Sequence, residues 1–193
     1  MASVVVNGDT SGAVTLSAPA VAGTVTVTLP SASGTMLTTA STFGGTGPAF
    51  SATLSAAQTI TTATATKIQL DTETFDTASC YNNTGSTVGG IPAYAFLPNV
   101  AGYYQVNLIV GGTAGTTMTL GGGFIYKNGS AYSRTLAAAL TSTSVESSTS
   151  NIIYLNGTTD YLEFFAQING TGTVQVASTQ LRTSASAALI RAA

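Results

Sequence analysis

The sequence predicts an all-β protein in two parts, a short β-repeat arm over residues 1–47 and a β-sandwich head over residues 48–193. Three observations predict it. Strand-length runs of Thr, Val, Ile, Tyr and Phe recur at regular spacing between Gly, Pro and Asn turn signals, as they do in sandwiches. No segment holds a helical period, since Leu136 to Leu140 is too short and has no cap. The stretch after Gly102 alternates, with Tyr104, Val106, Leu108 and Val110 making one apolar face.

In the arm, Gly12, Gly23, Gly34 and Gly45 are spaced by eleven, and Pro19 and Pro30 follow the first two by seven. Each unit is a glycine turn, a short alternating strand and a proline that stops it. The apolar positions Val14, Leu16, Val25, Val27 and Leu29 are too few and too small to bury a core alone. They need a partner surface, either one another across a trimer or a larger assembly that accepts them by strand addition. The other reading is a flexible low-complexity tail. Phe43 to Pro48 is a glycine-rich hinge into the head.

The head opens with Pro48-Ala49-Phe50-Ser51-Ala52-Thr53-Leu54, followed by a Thr-rich strand pair that ends at Lys67 to Asp71. A loop through Phe75-Asp76 to Gly90 leads to the central stretch, Ile91 to Val110, read as strand, turn, strand around Pro98-Asn99 and Gly102. Thr117–Leu120 and Phe124–Tyr132 read as strand and hairpin, Ser150–Ile168 as another pair, and the last strand lies near Ala187–Ile190. Asn128-Gly129, Asn156-Gly157 and Asn169-Gly170 read as hairpin turns, because Asn-Gly accepts positive φ.

Composition excludes several function classes. Charged residues make up 6% of the 193, against roughly 25% in ordinary globular proteins. Thr, Ser, Asn and Gly fill the surface instead, so salt has little to screen. Five basic residues and a net charge of −2 leave no stripe to neutralise phosphates, which argues against nucleic acid as a partner. The absence of His removes Ser-His-Asp and Cys-His catalysis and His-based metal sites. We expect no enzyme activity and no cofactor. A single Cys80 allows no internal disulfide. Residues 1–9 lack the basic start and apolar run of a secretion signal, and no run reaches the ~18 apolar residues of a membrane span. The expectation is a chain assembled in the cytoplasm and not inserted in a membrane.

Two constellations remain. Asp71 and Glu73, two apart on a strand, with Asp76 close by, could gather oxygen ligands for Ca²⁺; the competing reading is a solvated acidic edge without a ligand loop. Tyr81, Tyr94, Tyr103, Tyr132 and Tyr161 are candidates for a carbohydrate- or protein-binding tip, or else for strand packing.

The central strand raises a further question. Opposite its apolar face lie Tyr103, Gln105, Asn107 and Ile109, amphipathic but uncharged. Such a face fits neither open water nor a sandwich interior. It fits burial against copies of itself around a symmetry axis, the alternative being an ordinary strand with an uncharged wet face.

Several ordered signatures carry a resemblance. They are Pro48–Ala52, Phe75-Asp76, Phe96-Leu97-Pro98-Asn99-Val100-Ala101-Gly102-Tyr103-Tyr104, Tyr126-Lys127-Asn128-Gly129 and Leu155-Asn156-Gly157. In that order, residues 48–193 resemble the globular head of the complement C1q and tumour-necrosis-factor superfamily. The resemblance implies a ten-stranded jelly roll that forms a homotrimer, with Tyr103, Gln105, Asn107 and Ile109 meeting their symmetry mates on the three-fold axis. The chain departs from the pattern at Ser184–Ala193, which lacks the aromatics usual there. The N-terminal units resemble segments of tailed-phage fibre and virion proteins. Together the resemblances imply a phage virion structural protein on the virion surface. Its arm would dock on the major capsid protein or on a tail or baseplate protein. Capsid decoration (cement) is the preferred role, a short tail fibre recognising a host receptor with its head is the alternative, and a bacterial surface adhesin is a remote one.

Overall fold

A computed structural model describes residues 3–7, 10–17, 47–178 and 182–193 of the chain. The chain separates into two units, Met1–Ser41 and Thr42–Ala193. In the first, β1 (Ser3–Asn7) and β2 (Ala13–Ser17) form an antiparallel hairpin with Val4 opposite Leu16 and Val6 opposite Val14. Gly12 supplies the positive φ of its turn, at 82°. β2 is the strand of the first repeat, and its partner is the segment just before it. Val25, Val27 and Leu29 lie outside the described residues.

Among its described residues the second unit is all strand and loop. In order come β3 (Ala49–Thr53), β4 (Gln58–Thr59), β5 (Thr66–Lys67), β6 (Thr72–Asp76), β7 (Tyr81–Asn82), β8 (Ala95–Phe96) and β9 (Gly102–Lys127). They are followed by β10 (Ser130–Leu155), β11 (Leu162–Gly170), β12 (Val174–Val176) and β13 (Ser184–Ala192). The two longest, β9 and β10, each serve both layers of a sandwich. The first half of β9 pairs with the second half of β10 on one side and with β13 on the other, and β3 and β6 extend that layer. The second half of β9 pairs with the first half of β10 and with β11, and β8 and β7 extend the second layer. Register shifts in β10 between Ala138 and Ser144 mark where it turns from one layer to the other.

These pairings correct four local expectations. Thr117–Leu120 is not a separate strand but part of β9. The strands on either side of Asn156-Gly157 do not pair with each other, because both pair with β9. The Thr-rich segment forms β4 and β5, which pair with β12 and β11 rather than together. Asn169-Gly170 ends β11, and the positive φ falls instead on Gly172. Asn128-Gly129 is the two-residue turn expected, both residues at positive φ, 53° and 76°.

The core sits between the layers. Phe50 stacks on Tyr81 at 4.4 Å and on Phe96 at 4.7 Å, and Phe164 and Tyr104 complete the cluster. Each such ring buried contributes roughly 1.5–3 kcal/mol. The last strand carries none of these rings, yet it lies in mid-layer between β3 and β9, with Ala185 and Ala187 buried. Its small side chains stand beside Phe50, which fills the volume from the neighbouring strand. Across the middle of β9 the layers come close. A methyl at Gly123 would stand 2.7 Å from both Leu108 Cδ2 and Val110 Cγ2, so only glycine lets these chains meet there.

Candidate functional site

The first half of β9 separates two chemistries by alternation alone. Tyr104, Val106, Leu108 and Val110 are almost wholly buried in the sandwich. Tyr103 and Ile109 on the opposite side stand 45% and 38% exposed. Gln105 and Asn107 lie between them on that same outward side. The structure therefore brings all four candidate interface residues onto one outward face.

The face is wider than the sequence reading. On β10, Ile152 lies opposite Gln105 and Tyr154 opposite Tyr103, and they are 53% and 42% exposed. Tyr103 and Tyr154 meet edge to face at 5.5 Å. The signal for these two was present, since Ile153 and Leu155 alternate with them and are buried. What the sequence lacked was the pairing that sets β10 beside β9. On the other flank β13 adds Ser186, opposite Asn107, and Ala188, opposite Gln105.

A hydrogen-bond relay holds the centre of the face. The Gln105 amide donates to Ser150 Oγ at 2.7 Å, and that hydroxyl donates to Asn107 Oδ1 at 2.8 Å. The Asn107 amide donates in turn to Ser186 Oγ at 3.5 Å. Charge is confined to the ends, where on β13 Arg191 lies opposite Tyr103. Arg182 pairs with Glu146 beside Gly111 at 3.0 Å, and Lys127 donates to the Tyr154 carbonyl and reaches Asp160 at 2.9 Å. From Tyr103 to Ile109 the face runs about 20 Å along the strand.

Asp160 anchors the loop at one end. Burial acts to raise its carboxyl pKa, but hydrogen bonds from Asn128 and Lys127, the Lys127 charge and the Asn156 amide outweigh it, so the group sits below its usual range. Tyr104, on the buried side, donates its hydroxyl to the Val100 carbonyl at 2.7 Å. Burial, then the nearby Cys80, pushes its phenol up to about 12.

The acidic candidates fare differently. Asp71 accepts the Ser55 amide at 2.7 Å, and Asp76 accepts the Tyr81 amide at 2.7 Å and the Ala78 amide at 3.2 Å. Both carboxylates are thus turned to loop backbone. The Asp71 carboxyl lies below its usual range, since bonds from Ser55 and Thr72 outweigh the opposing effect of burial. Glu73 is raised by partial burial and by the charge of Asp76. A bulge in β6 separates Glu73 from Phe75, and among the described residues no three metal-ligating side chains converge.

The five tyrosines do not form one surface. Tyr81 is core, with its hydroxyl donated to the Leu70 carbonyl at 2.8 Å, whereas Tyr103 belongs to the face above and Tyr132 projects from β10. Val14 and Leu16 lie in β2, in the other unit.

No family model matches the chain, and no curated protein matches it in sequence. Solved structures do match. Murine APRIL superposes with a TM-score of 0.53 at 8% identity, over 74% of this chain and 98% of that one. The globular domain of zebrafish complement 1qA protein gives 0.51 at 11%, over 76% and 99%. PRD1 vertex protein P5 gives 0.55 at 17%, over 77% and 100%. At these identities the likeness speaks for architecture. The head of this chain is a jelly roll of the C1q and tumour-necrosis-factor type.

Proposed function

We propose that this chain is a homotrimeric structural protein of a tailed-phage virion, exposed on the particle surface. In this reading the jelly-roll head associates through Tyr103, Gln105, Asn107, Ile109, Ile152 and Tyr154, and the residues 1–47 arm docks on a shell or tail protein through its β-repeat. The observation that carries the proposal is the half-apolar face of β9 and β10, free of charge between its ends and left open on the protomer. A face without Lys or Glu can be desolvated without burying an ion, which costs several kcal/mol per unpaired charge. Its exposed Tyr and Ile side chains make it the kind of contiguous patch that marks an association site. The shared architecture with PRD1 vertex protein P5, a phage vertex protein, supports placement in a virion.

Capsid decoration is the role we favour. The arm has strands of about five residues, and each spans roughly 17 Å at ~3.3 Å per residue. That reach suits stapling neighbouring capsomers better than bridging to a cell surface. The deciding experiment is the copy number per purified virion, measured by quantitative mass spectrometry against the major shell protein. Hundreds of copies are expected. A few trimers per particle would place the protein in a tail fibre or spike, and absence from the particle would overturn the reading.

A further inference from the structure

The second layer carries a site that the association face does not use. On its outer surface Phe124, Tyr126 and Phe165 form an aromatic strip, with Tyr126 stacked on Phe165 at 4.0 Å and Phe124 meeting Tyr126 at 6.3 Å. Phe124 points away from the core, because its neighbour Ile125 is the residue packed inside, yet it is only 6% exposed. It forms the floor of a hollow of about 290 Å³ walled by Ala131, Tyr132, Ser133 and Arg134. A register shift between Ala131 and Ser133 makes Tyr132 the bulged residue, and its ring stands 52% exposed at the rim. Arg134 lies directly across the ladder from Phe124.

Of five basic side chains, Lys67, Lys127 and Arg182 are held in ion pairs. Arg134 and Arg191 form none among the described residues, and Arg134 is the one that walls this hollow.

We propose that the Phe124–Tyr132–Arg134 hollow binds a carboxylate-bearing sugar ring, as found in uronic-acid polysaccharides. A guanidinium fork matches a carboxylate with two parallel hydrogen bonds. The Tyr132 ring and the Phe124 floor offer apolar surface to the C–H face of a pyranose, and the Tyr132 hydroxyl suits its OH groups. The volume lies at the lower bound of ordinary ligand pockets, ~300 Å³, which fits one ring rather than a peptide side chain array. A single cation cannot hold nucleic acid. The site lies on the layer opposite the association face, so a trimer would present three copies and gain avidity on a polymer.

The test is calorimetric titration of the full chain with tetramers of galacturonate, glucuronate and mannuronate, against neutral glucose and galactose tetramers and free acetate. At least one acidic tetramer binds tenfold or more tighter than every neutral one and than acetate. Arg134→Gln and Tyr132→Ala each weaken it tenfold or more, and Arg134→Lys weakens it measurably through loss of the fork. Sedimentation of these exposed-site variants stays unchanged, which keeps the result independent of the association face. Equal binding of acidic and neutral sugars, binding of acetate as tight as the tetramers, no binding of any acidic tetramer, or full binding by Arg134→Gln would each overturn the proposal.

Discussion

Replacing Asn107 by Lys separates the protomer from the assembly. On the isolated head Asn107 is exposed, so the new ammonium stays in water and the substitution changes protomer stability by about 0.5 kcal/mol or less. The relay through Ser150 and Ser186 is lost, but both hydroxyls lie at an open surface where water replaces their partner. In a trimer that closes over this face the balance is different. Burying an unpaired ammonium costs several kcal/mol, and symmetry repeats it three times, for on the order of 10 kcal/mol. At about 1.4 kcal/mol per decade, that is about seven decades in the association constant. Sedimentation equilibrium across a hundredfold range of concentration reads the effect directly. Asn107→Lys should run as a folded monomer, with its β-sheet circular dichroism retained. Thr87→Lys, which adds the same charge in the exposed loop between β7 and β8 on the second layer, should keep the wild-type mass. If Asn107→Lys sediments with that mass too, the face is not an interface and the association argument fails.

Other perturbations probe the scaffold. Phe50→Ala removes the ring at the centre of the aromatic stack and should cost about 3–5 kcal/mol in urea unfolding. Gly123→Ala forces a methyl against Leu108 and Val110, so it should cost about 1–3 kcal/mol, with partial recovery when Val110→Ala is added; strict additivity would show that the layers part rather than clash. Thr149 Oγ1 is buried without a hydrogen-bond partner, so Thr149→Val should raise the urea midpoint; a loss of stability would mean that a buried water holds the hydroxyl. The Asp160 pKa is depressed on folding, so its contribution is full above the unfolded value near 3.9 and is lost as pH falls through the lower folded value. Asp160→Asn should therefore flatten the acid limb of stability below about pH 5, measured as urea midpoints against pH.

What was legible in the sequence was local. The alternation from Tyr103 to Val110 separated core from outward face correctly, because period two is a property of the strand itself. Asn128-Gly129 announced its turn, because positive φ is a property of those residue types. Pairing across the fold was not legible. Leu155 and Leu162 are close in sequence, yet their strands both lie against β9, and nothing in their composition says so. Tyr81 read as a surface candidate because its hydroxyl is polar; the Leu70 carbonyl that satisfies it comes from eleven residues away. The aromatic strip was hidden for the same reason. Phe124 and Tyr126 are two apart and visibly share a face, but Phe165 and Arg134 join them only through the ladder.

One strand thus sets both outward surfaces. The first half of β9 shows amides and tyrosine to one side, and its second half shows an aromatic strip to the other. Because side chains alternate, a one-residue slip in the first half would bury Gln105 and Asn107 and expose Val106 and Leu108. Register is therefore under double constraint, from the core and from the face. The same geometry explains how an apolar face stays tolerable before assembly. Gln105, Ser150, Asn107 and Ser186 already bond to one another in the plane of the sheet, so closing a second copy over them removes water from groups that keep partners. Desolvation of a satisfied amide costs far less than that of an orphaned one, at about 1–3 kcal/mol each. A face of charged residues would resist assembly, and a wholly apolar one would aggregate early. Neutral groups that satisfy each other avoid both outcomes, and a chain with 6% charged residues is composed to supply them.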